Sequence, residues 1–443
     1  MTTLDAWLYG TLVATVSTTR PGRAELTFTD QALHRWGLHS AVVSGLLPLS
    51  RTSPPPARVT AWLAGLLPEG RARTRLALDA GVDPEDPVAF LAVYGRDTAG
   101  ALVLVPQGHN PEPAGELSPV SDAQIAALLR AARSAGAVDQ LTSITGMETK
   151  IVLTRTSNGW ASPVGRPPST HIVKLGRPAD SAASDLIDTE AAALDLARRC
   201  GLTTVAAAIT TFDGERALVV ERYDRVRHAD GTVSRVHQED GAQMLGLDTR
   251  DPDRKFQWGR ALPSLRSLAK SLIAMGDVRP VGLLALTTFN LAIGNTDAHA
   301  KNISVVHHAD GSTRLAPAYD VAMHRHHPHA STRFAMDVHG TSDMAAIGPE
   351  DLVAEGKAWG LSSRDATRTV RDTLERLDQA LTEVDTSAHP GVGVTAWSTV
   401  RDRTHQLLLH APQSPTATRR PGPPTPARRE PKSTPTGGRF APE

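Results

Sequence analysis

The sequence predicts an α+β fold in which a β-rich first part gives way to a largely helical second part. The first part carries two β-type segments, "LDAWLYGTLVATVS" (4–17) and "RAELTFTD" (23–30). Near residue 370, apolar residues recur at helical spacing on one face of "RDATRTVRDTLERLDQALTEV". Between these parts, residues 106–119 are rich in Pro and Gly and poor in large apolar residues, which indicates a domain boundary.

Composition indicates a globular protein of more than one domain. The chain has 443 residues, of which 40% are hydrophobic and 21% are charged. Lys+Arg and Asp+Glu both number 47, so the charge gives little support to direct nucleic-acid or membrane binding. Cys200 is the single cysteine, which excludes an internal disulfide and fits a reducing compartment. Without a signal-peptide pattern or a membrane-length apolar run, we expect a cytoplasmic protein.

Residues 1–107 are predicted to form a β-rich subdomain. The segment "TTRPGR" supplies turn chemistry between the two opening β segments, which therefore predict a hairpin. Residues 61–81 predict a helix that ends at Gly81, and residues 95–106 predict a return to strand.

Residues 120–225 predict a second β-rich unit with two helices. Ser121 and Gln124 form a capping-box pattern ahead of the first helix. Asp213–Gly214 marks the turn of a hairpin. The other segments are strands "KIVLTRT" (150–156) and "THIVKLG" (170–176) and the helix "SDLIDTEAAALDLARRCG" (184–201).

Residues 226–410 predict a mainly helical unit, interrupted by a hairpin that turns at Asp310–Gly311. Residues 411–443 contain nine prolines and almost nothing apolar, so we expect disorder there. We interpret the tail as a solubilising extension. The alternative, based on its positive charge, is that it contacts an acidic partner.

The stretch "GNTDAHAKN" (294–302) places many polar groups directly after the apolar segment "VGLLALTTFNLAI". Asp297 and Asn302 are five residues apart, and Asp320 follows a hairpin. Protein kinases use this order to supply an acceptor-side carboxylate and two ligands for the Mg²⁺ that bridges the phosphates of ATP. The pattern predicts Asp297 as catalytic base and Asn302 and Asp320 as metal ligands, since hard oxygen donors suit Mg²⁺.

Upstream segments supply candidates for binding the nucleotide. Lys174 lies inside an apolar strand, where a charge is costly unless it is paired. Glu190 follows 16 residues later and lies on a helix. In kinases, the glutamate that pairs with the β3 lysine also lies on a helix. Residues 221–223 resemble a hinge with backbone groups for adenine, and "SITGMETK" (143–150) could lay backbone amides over phosphates. Each signal alone also fits a solvated surface residue or a plain turn, but their order favours phosphoryl transfer.

At these residues the chain resembles the HipA family of serine/threonine kinases, the toxins of bacterial HipBA modules. The resemblance spans roughly residues 4–390. It implies a kinase-like two-lobed fold with a β-rich N-terminal subdomain and a helical C-lobe, and it implies ATP and Mg²⁺. It also implies a HipB-like helix-turn-helix antitoxin, contact with DNA only through that partner, and a seryl target such as an aminoacyl-tRNA synthetase. The segments that carry it are "LLPEGRAR", "GRDTAGAL", "STHIVKL", "ERYDR", "HQEDGAQMLGL", "GNTDAHAKN" and "RLAPAYD".

The resemblance also assigns residues. Asp297 matches the catalytic Asp, Asn302 and Asp320 the Mg²⁺ ligands, and Lys174 the phosphate-binding lysine. The nucleotide-binding candidates that remain are Ser143, Thr145, Gly146, Lys150, Glu190, Glu221, Tyr223, Asp224, Gln238 and His299. Ser143 matches a serine that is autophosphorylated in the family, although "SITGMETK" departs from the usual Ala-Gly-Ala-Gln-Glu-Lys pattern after it.

Histidines 324, 326, 327 and 329 in "MHRHHPHAS" fit no zinc-motif spacing and have no cysteine nearby, so we expect no metal site there. His299 is expected to brace the candidate catalytic loop, residues 294–302, through a backbone hydrogen bond. Two other functions stay open: a catalytically silent nucleotide-binding scaffold or corepressor for a helix-turn-helix partner, and a kinase of a small molecule.

Overall fold

The computed structural model describes residues 2–20, 22–112, 115–135, 150–164, 167–181, 183–259, 262–276 and 279–413. The proposed phosphate-loop residues Ser143, Thr145 and Gly146 and the tail beyond residue 413 lie outside these ranges. The arrangement is α+β, as predicted, with antiparallel sheets followed by helices.

The first sheet has four antiparallel strands in the order β3-β2-β1-β4. The predicted hairpin contains one strand more than expected, because residues 4–17 turn at Tyr9 and Gly10, both with positive φ (50° and 74°). A tyrosine in this conformation is uncommon, so the alternation of residue types runs through the turn without marking it. The strands are β1 (Thr3–Leu8), β2 (Thr11–Arg20), β3 (Arg23–Phe28) and β4 (Val103–Pro106).

Four helices pack near this sheet: α1 (Asp30–Trp36), α2 (Pro56–Ala64), α3 (Gly70–Ala80) and α4 (Pro87–Tyr94). The single helix predicted over 61–81 is in fact the end of α2 and the whole of α3. Pro68 lies in the break, where its ring and missing N–H do not allow a helix to continue. Gly81 adopts a left-handed conformation (φ 64°) and ends α3 as predicted.

The second sheet has six antiparallel strands in the order β5-β7-β6-β8-β10-β9. The hairpin at Asp213–Gly214 joins its last two strands. The predicted linker at 106–119 contains the start of β5, and Pro119 is tolerated there because β5 is an edge strand. The elements are β5 (Glu116–Val120), α5 (Asp122–Ala135), β6 (Lys150–Thr156), β7 (Gly159–Val164), β8 (His171–Leu175), α6 (Leu186–Arg199), β9 (Ala207–Phe212) and β10 (Glu215–Glu221).

The remaining chain is mostly helical. Its elements are β11 (Arg225–Arg227), β12 (Val233–Arg235), β13 (His237–Asp240), α7 (Gly241–Met244), α8 (Leu265–Ala274), α9 (Val281–Ala292), β14 (Ser304–His307), β15 (Thr313–Leu315), β16 (Arg333–Val338), β17 (Thr341–Asp343), α10 (Pro349–Ala358), α11 (Ser363–Glu383) and α12 (Val394–Leu409). The predicted apolar face of α11 is buried and packs toward α9. No helix in the described ranges is long and apolar enough to cross a bilayer.

The first subdomain is bonded directly to the sheet β13-β14-β15. The backbone N–H of His237 donates to the Tyr9 hydroxyl at 2.8 Å, and that hydroxyl donates to the carbonyl of His307. The buried carboxylate of Glu239 accepts from the Ser44 hydroxyl at 2.7 Å and from the backbone N–H of Gly45 at 2.5 Å. These bonds hold Tyr9, Ser44 and Gly45 against β13 and β14.

Candidate active site

A cavity of about 690 Å³ lies between the second sheet and the helical part of the chain. Its volume falls in the range of small-molecule sites. All sequence-predicted site residues in the described part of the chain line it. They are Lys150, Lys174, Glu190, Glu221, Tyr223, Asp224, Gln238, Asp297, His299, Asn302 and Asp320.

The loop after α9 is held by amide side chains. Asn295 donates from Nδ2 to Oδ1 of Asn290 at 3.0 Å, and its own Oδ1 accepts the backbone N–H of Asp297 at 3.0 Å. Asn302 donates from Nδ2 to the carbonyl of Asp297 at 2.9 Å. The loop is therefore fixed by its own polar groups, while half of the Asp297 side chain stays exposed. An exposed carboxylate on a rigid loop suits a base that must meet an incoming substrate.

Asn302 and Asp320 provide oxygen donors to the same cavity. Because the Asn302 amide nitrogen is used within the loop, its oxygen is the atom left for a ligand. Asp320 follows the β14-β15 hairpin in a left-handed conformation (φ 53°). A non-glycine residue held at positive φ is a common feature of functional sites. A carboxylate and an amide oxygen fit a hard divalent cation such as Mg²⁺.

Lys174 joins two carboxylates in the cavity. Its ammonium on β8 lies 2.7 Å from Oε1 of Glu190 on α6 and also contacts Asp320. Burial lowers the pKa of Lys174, but Asp320 and Glu190 more than offset this and hold it above its ordinary value. Burial likewise raises the pKa of Asp320, but Lys174 holds it well below the usual range. Both groups therefore remain charged at neutral pH.

Lys150 adds a second ammonium beside Lys174. The two residues are register partners on the neighbouring strands β6 and β8. Burial, and then the charge of Lys174, lower the pKa of Lys150 to about 8. Two lysine ammonium groups in one cavity offer cationic partners to the phosphates of a polyanionic ligand such as a triphosphate.

At the predicted hinge, some hydrogen-bonding groups are already used. The backbone N–H groups of Glu221 and Arg222 donate to Ala206 and Thr170 at 2.8 and 2.9 Å. The Tyr223 hydroxyl donates to Gln238. The Tyr223 ring also lies 5.4 Å from the ring of Tyr319, tilted by 36°, so two aromatic rings are available to a planar base.

Asp224 lines the cavity, but its carboxylate is engaged elsewhere. It accepts from Arg222 at 2.8 Å and from the backbone N–H of Gly100 at 2.7 Å, and Arg225 lies 3.0 Å away. Burial raises the pKa of Asp224, but the charges of Arg222 and Arg225 outweigh burial and lower this pKa to about 2. This carboxylate therefore ties the hinge to the first subdomain, and a direct bond from it to a ribose would have to replace one of these contacts.

Sequence reasoning assigned no role to a buried charge network beneath the catalytic loop. Glu69, in the loop before α3, lies 3.0 Å from the ammonium of Lys255 and 3.7 Å from that of Lys301. Lys301, within the catalytic loop, also lies 2.9 Å from Asp240. These side chains are at most 10% exposed. No local pattern marks these two lysines and two acids, because their pairing spans up to 232 positions along the chain.

The ring of His299 does not form the expected backbone hydrogen bond within the described residues. Its Nδ1 is buried and has no partner among the residues that the structure describes, and its Nε2 lies 3.8 Å from Oδ1 of Asp297. The ring packs edge-on against Phe256 at 5.0 Å. Burial, and then the charge of Lys255, lower the pKa of His299 to about 3, so the ring is neutral at physiological pH.

Comparison with known proteins gives two family matches and several relatives. Residues 4–105 match the model described as the HipA N-terminal domain, and residues 142–381 match the HipA-like C-terminal domain. A Sinorhizobium fredii protein named "Putative kinase Y4mE" is 30% identical over 400 residues, covering 87% of this chain and 92% of that protein. The serine/threonine-protein kinase toxin HipA of Shewanella oneidensis is 27% identical over 373 residues, covering 81% and 84%.

A solved structure shows the same fold. The Shewanella oneidensis complex of HipA, HipB and operator DNA matches with a TM-score of 0.74 and 24% identity, covering 92% of this chain and 96% of that one. The two family models and the 30% identical relative show that the chain belongs to the HipA family of kinases.

Proposed function

We propose that the chain is an ATP- and Mg²⁺-dependent serine/threonine protein kinase and the toxin of a toxin–antitoxin module. The observation that carries the proposal is the contact of Lys174 with both Glu190 and Asp320 in the cavity that Asp297 and Asn302 also line. A lysine–glutamate pair beside a metal-binding aspartate is the arrangement that positions nucleotide phosphates in protein kinases.

The donor atoms suit the proposed ligands. Lys174 and Lys150 would bind phosphate oxygens of ATP, and Tyr223 with its aromatic neighbour would contact the base. Asn302 and Asp320 would hold Mg²⁺, which when bound neutralises charge on the phosphates. Both ligands are oxygen donors, as this ion prefers.

The reaction then follows from the position of Asp297. Its carboxylate takes the proton of a seryl hydroxyl as the seryl oxygen bonds to the γ-phosphorus of ATP. The bond from that phosphorus to the bridging oxygen breaks, and ADP leaves with the oxygen and its electrons. The two lysines balance the negative charge on the phosphates during the transfer.

The biological role is proposed from the family. The Shewanella oneidensis structure contains HipA with HipB and operator DNA. We infer a HipB-like helix-turn-helix partner here and contact with DNA only through it, since the chain has no net basic charge. The target is proposed to be a seryl group on a cytoplasmic, translation-related protein such as an aminoacyl-tRNA synthetase, with growth arrest and persistence as the outcome.

The test is transfer of labelled γ-phosphate to protein. Purified protein with Mg-ATP should label a seryl substrate in a cell lysate, and Asp297→Asn should reduce the rate by about 10²–10⁴. Asp402→Asn, an exposed substitution on α12, is the matched control and should label normally. Expression should slow growth, and Asp297→Asn should relieve the effect.

Other outcomes would support the alternatives. Labelling that survives Asp297→Asn contradicts the assignment of the base. Tight nucleotide binding without transfer to any lysate component would indicate a scaffold or corepressor. Label in small metabolites, with none in protein, would indicate a small-molecule kinase.

A further inference from the structure

Two histidines and an aspartate converge beside the candidate active site. Nε2 of His326 lies 2.8 Å from Oδ2 of Asp185, and Nε2 of His327 lies 2.7 Å from Oδ1 of the same carboxylate. One ligand atom from each residue can be chosen so that all three lie within 4.8 Å of one another. The side chains are 9%, 15% and 23% exposed for His326, His327 and Asp185, so the cluster is largely sheltered from solvent.

We propose that Asp185, His326 and His327 bind one divalent transition-metal ion of the zinc type. Two imidazole nitrogens and one carboxylate oxygen form a donor set that such ions accept, with a fourth position left for water. At metal–ligand bonds of about 2.0–2.1 Å, tetrahedral geometry separates ligand atoms by roughly 3.3–3.5 Å. The present separations of 2.7 and 2.8 Å therefore need to open by less than about 1 Å.

Spacing along the sequence could not reveal this cluster. The histidines alone fit no zinc motif, and their third partner lies 141 positions earlier, next to the start of α6. His324, in the same segment, is not part of the cluster. Its Nδ1 accepts a hydrogen bond from the backbone N–H of Thr296 at 3.2 Å.

The second nitrogen of His326 limits the affinity. Coordination through Nε2 places the ring proton on Nδ1, which is buried and has no partner in the described residues. The metal–ligand bonds must offset that cost. We therefore expect weaker binding than at a closed site with four protein ligands.

The position of the cluster suggests what the ion would do. Asp185 is five residues before Glu190, and His326 is six residues after Asp320. Glu190 and Asp320 both contact Lys174. An ion shared by Asp185 and the two histidines would lock these two segments in the arrangement that keeps Lys174 paired. This consequence for catalysis rests on the proposed kinase activity, whereas the binding of the metal does not.

Metal binding can be measured directly on the full chain. Protein purified without a histidine tag and freed of metal by a chelator is titrated with Co²⁺, whose visible absorption reports nitrogen and oxygen ligation. We expect one saturable equivalent that Zn²⁺ displaces and that Mg²⁺ leaves in place. Zn²⁺ should also raise the melting temperature, because a ligand that binds only the folded state stabilises it.

Variants assign the site. His327→Ala and Asp185→Asn should each weaken Co²⁺ binding at least about tenfold, as expected for the loss of one of three ligands. His329→Ala, an exposed histidine in the same segment, is the matched control and should bind as the wild type does. Circular dichroism of the metal-free variants establishes that they are folded.

Two results would overturn the proposal. One is the absence of a saturable Co²⁺ band, which would leave the cluster as a pair of histidine–aspartate hydrogen bonds. The other is a band that folded His327→Ala and Asp185→Asn variants retain, which would place the ion elsewhere. If metal binds as expected but no phosphate is transferred, the metal site stands and the proposed kinase function fails.

Discussion

Substitution of Glu69 by Gln should destabilise the protein strongly, although it changes only one charge. In the wild type, Glu69 and Asp240 balance the ammonium groups of Lys255 and Lys301, and all four side chains are at most 10% exposed. Removing one partner from a buried ionic network typically costs about 3–5 kcal/mol, because the opposite charge is left uncompensated. Lys301 retains Asp240 at 2.9 Å, so we expect the lower end, about 3 kcal/mol.

The assay is urea-induced unfolding followed by tryptophan fluorescence. Glu85→Gln is the matched control, since Glu85 is 57% exposed and pairs with Arg250 at 3.3 Å on the surface. It should change the free energy of unfolding by less than about 1 kcal/mol. The double variant Glu69→Gln/Lys255→Met should be more stable than the sum of the single effects predicts, by about 1–3 kcal/mol. Equal and small effects of Glu69→Gln and Glu85→Gln would refute the reasoning.

The same network predicts a pH dependence. Burial raises the pKa of Glu69, but Lys301 and Lys255 hold it below its ordinary value of 4.5. The ionised group therefore contributes stability above pH 4.5, and that contribution is lost as the pH falls through the lower pKa of the folded state. The stability difference between the wild type and Glu69→Gln should accordingly shrink below pH 4.5. A constant difference down to the acid transition would contradict an ionised Glu69.

Two further predictions concern the active site. Because the pKa of Lys150 is about 8, its ammonium is present below that pH and lost above it, so kcat/KM for ATP should fall above pH 8. Lys150→Arg should keep its charge and shift the fall upward; identical profiles would count against a phosphate contact. A Cβ at Gly241 would lie 2.6 Å from the carbonyl oxygen of Ala300 in the catalytic loop, so Gly241→Ala should cost about 1–3 kcal/mol and slow phosphate transfer. Gly348→Ala, with no neighbour closer than 3.7 Å, should have a smaller effect on both melting temperature and labelling.

Local patterns predicted much of the fold. The hairpins at Asp213–Gly214 and Asp310–Gly311 form where turn residues interrupt β-type segments. The capping box also forms, since the backbone N–H of Ser121 donates to Gln124 at 2.8 Å and the N–H of Gln124 to Ser121 at 3.3 Å. These features depend on residues within three or four positions of one another. Sequence alone is informative at that range.

Prediction was less complete where local signals were weak or misleading. The turn at Tyr9 and Gly10 was missed because tyrosine rarely adopts positive φ. Pro119 made the start of β5 resemble a linker, although an edge strand tolerates proline. In each case the surrounding sheet determined the conformation against the preference of the individual residue.

The candidate site shows the same division. Asp297, Asn302 and Asp320 line one cavity, as the sequence predicts, because they lie in a short loop and directly after the hairpin that follows it. Their roles remain a proposal. Glu69 and Asp185 could not be found from the sequence, since their partners lie 232 and about 141 positions away and only the folded topology brings them together. The protein domain boundaries inferred from composition remain a prediction.

The hydrogen bonds from Ser44 and Gly45 to Glu239 on β13 have a consequence for proteolysis. Glu239 has no solvent exposure, and two of its donors, Ser44 and Gly45, belong to the region that precedes the cavity-forming sheet. Clipping the chain near residue 107 and losing the front fragment would leave that carboxylate without those donors and strip Lys301 of one of its two counter-charges. We therefore expect such a cut to abolish the proposed kinase activity and not to liberate a constitutively active fragment.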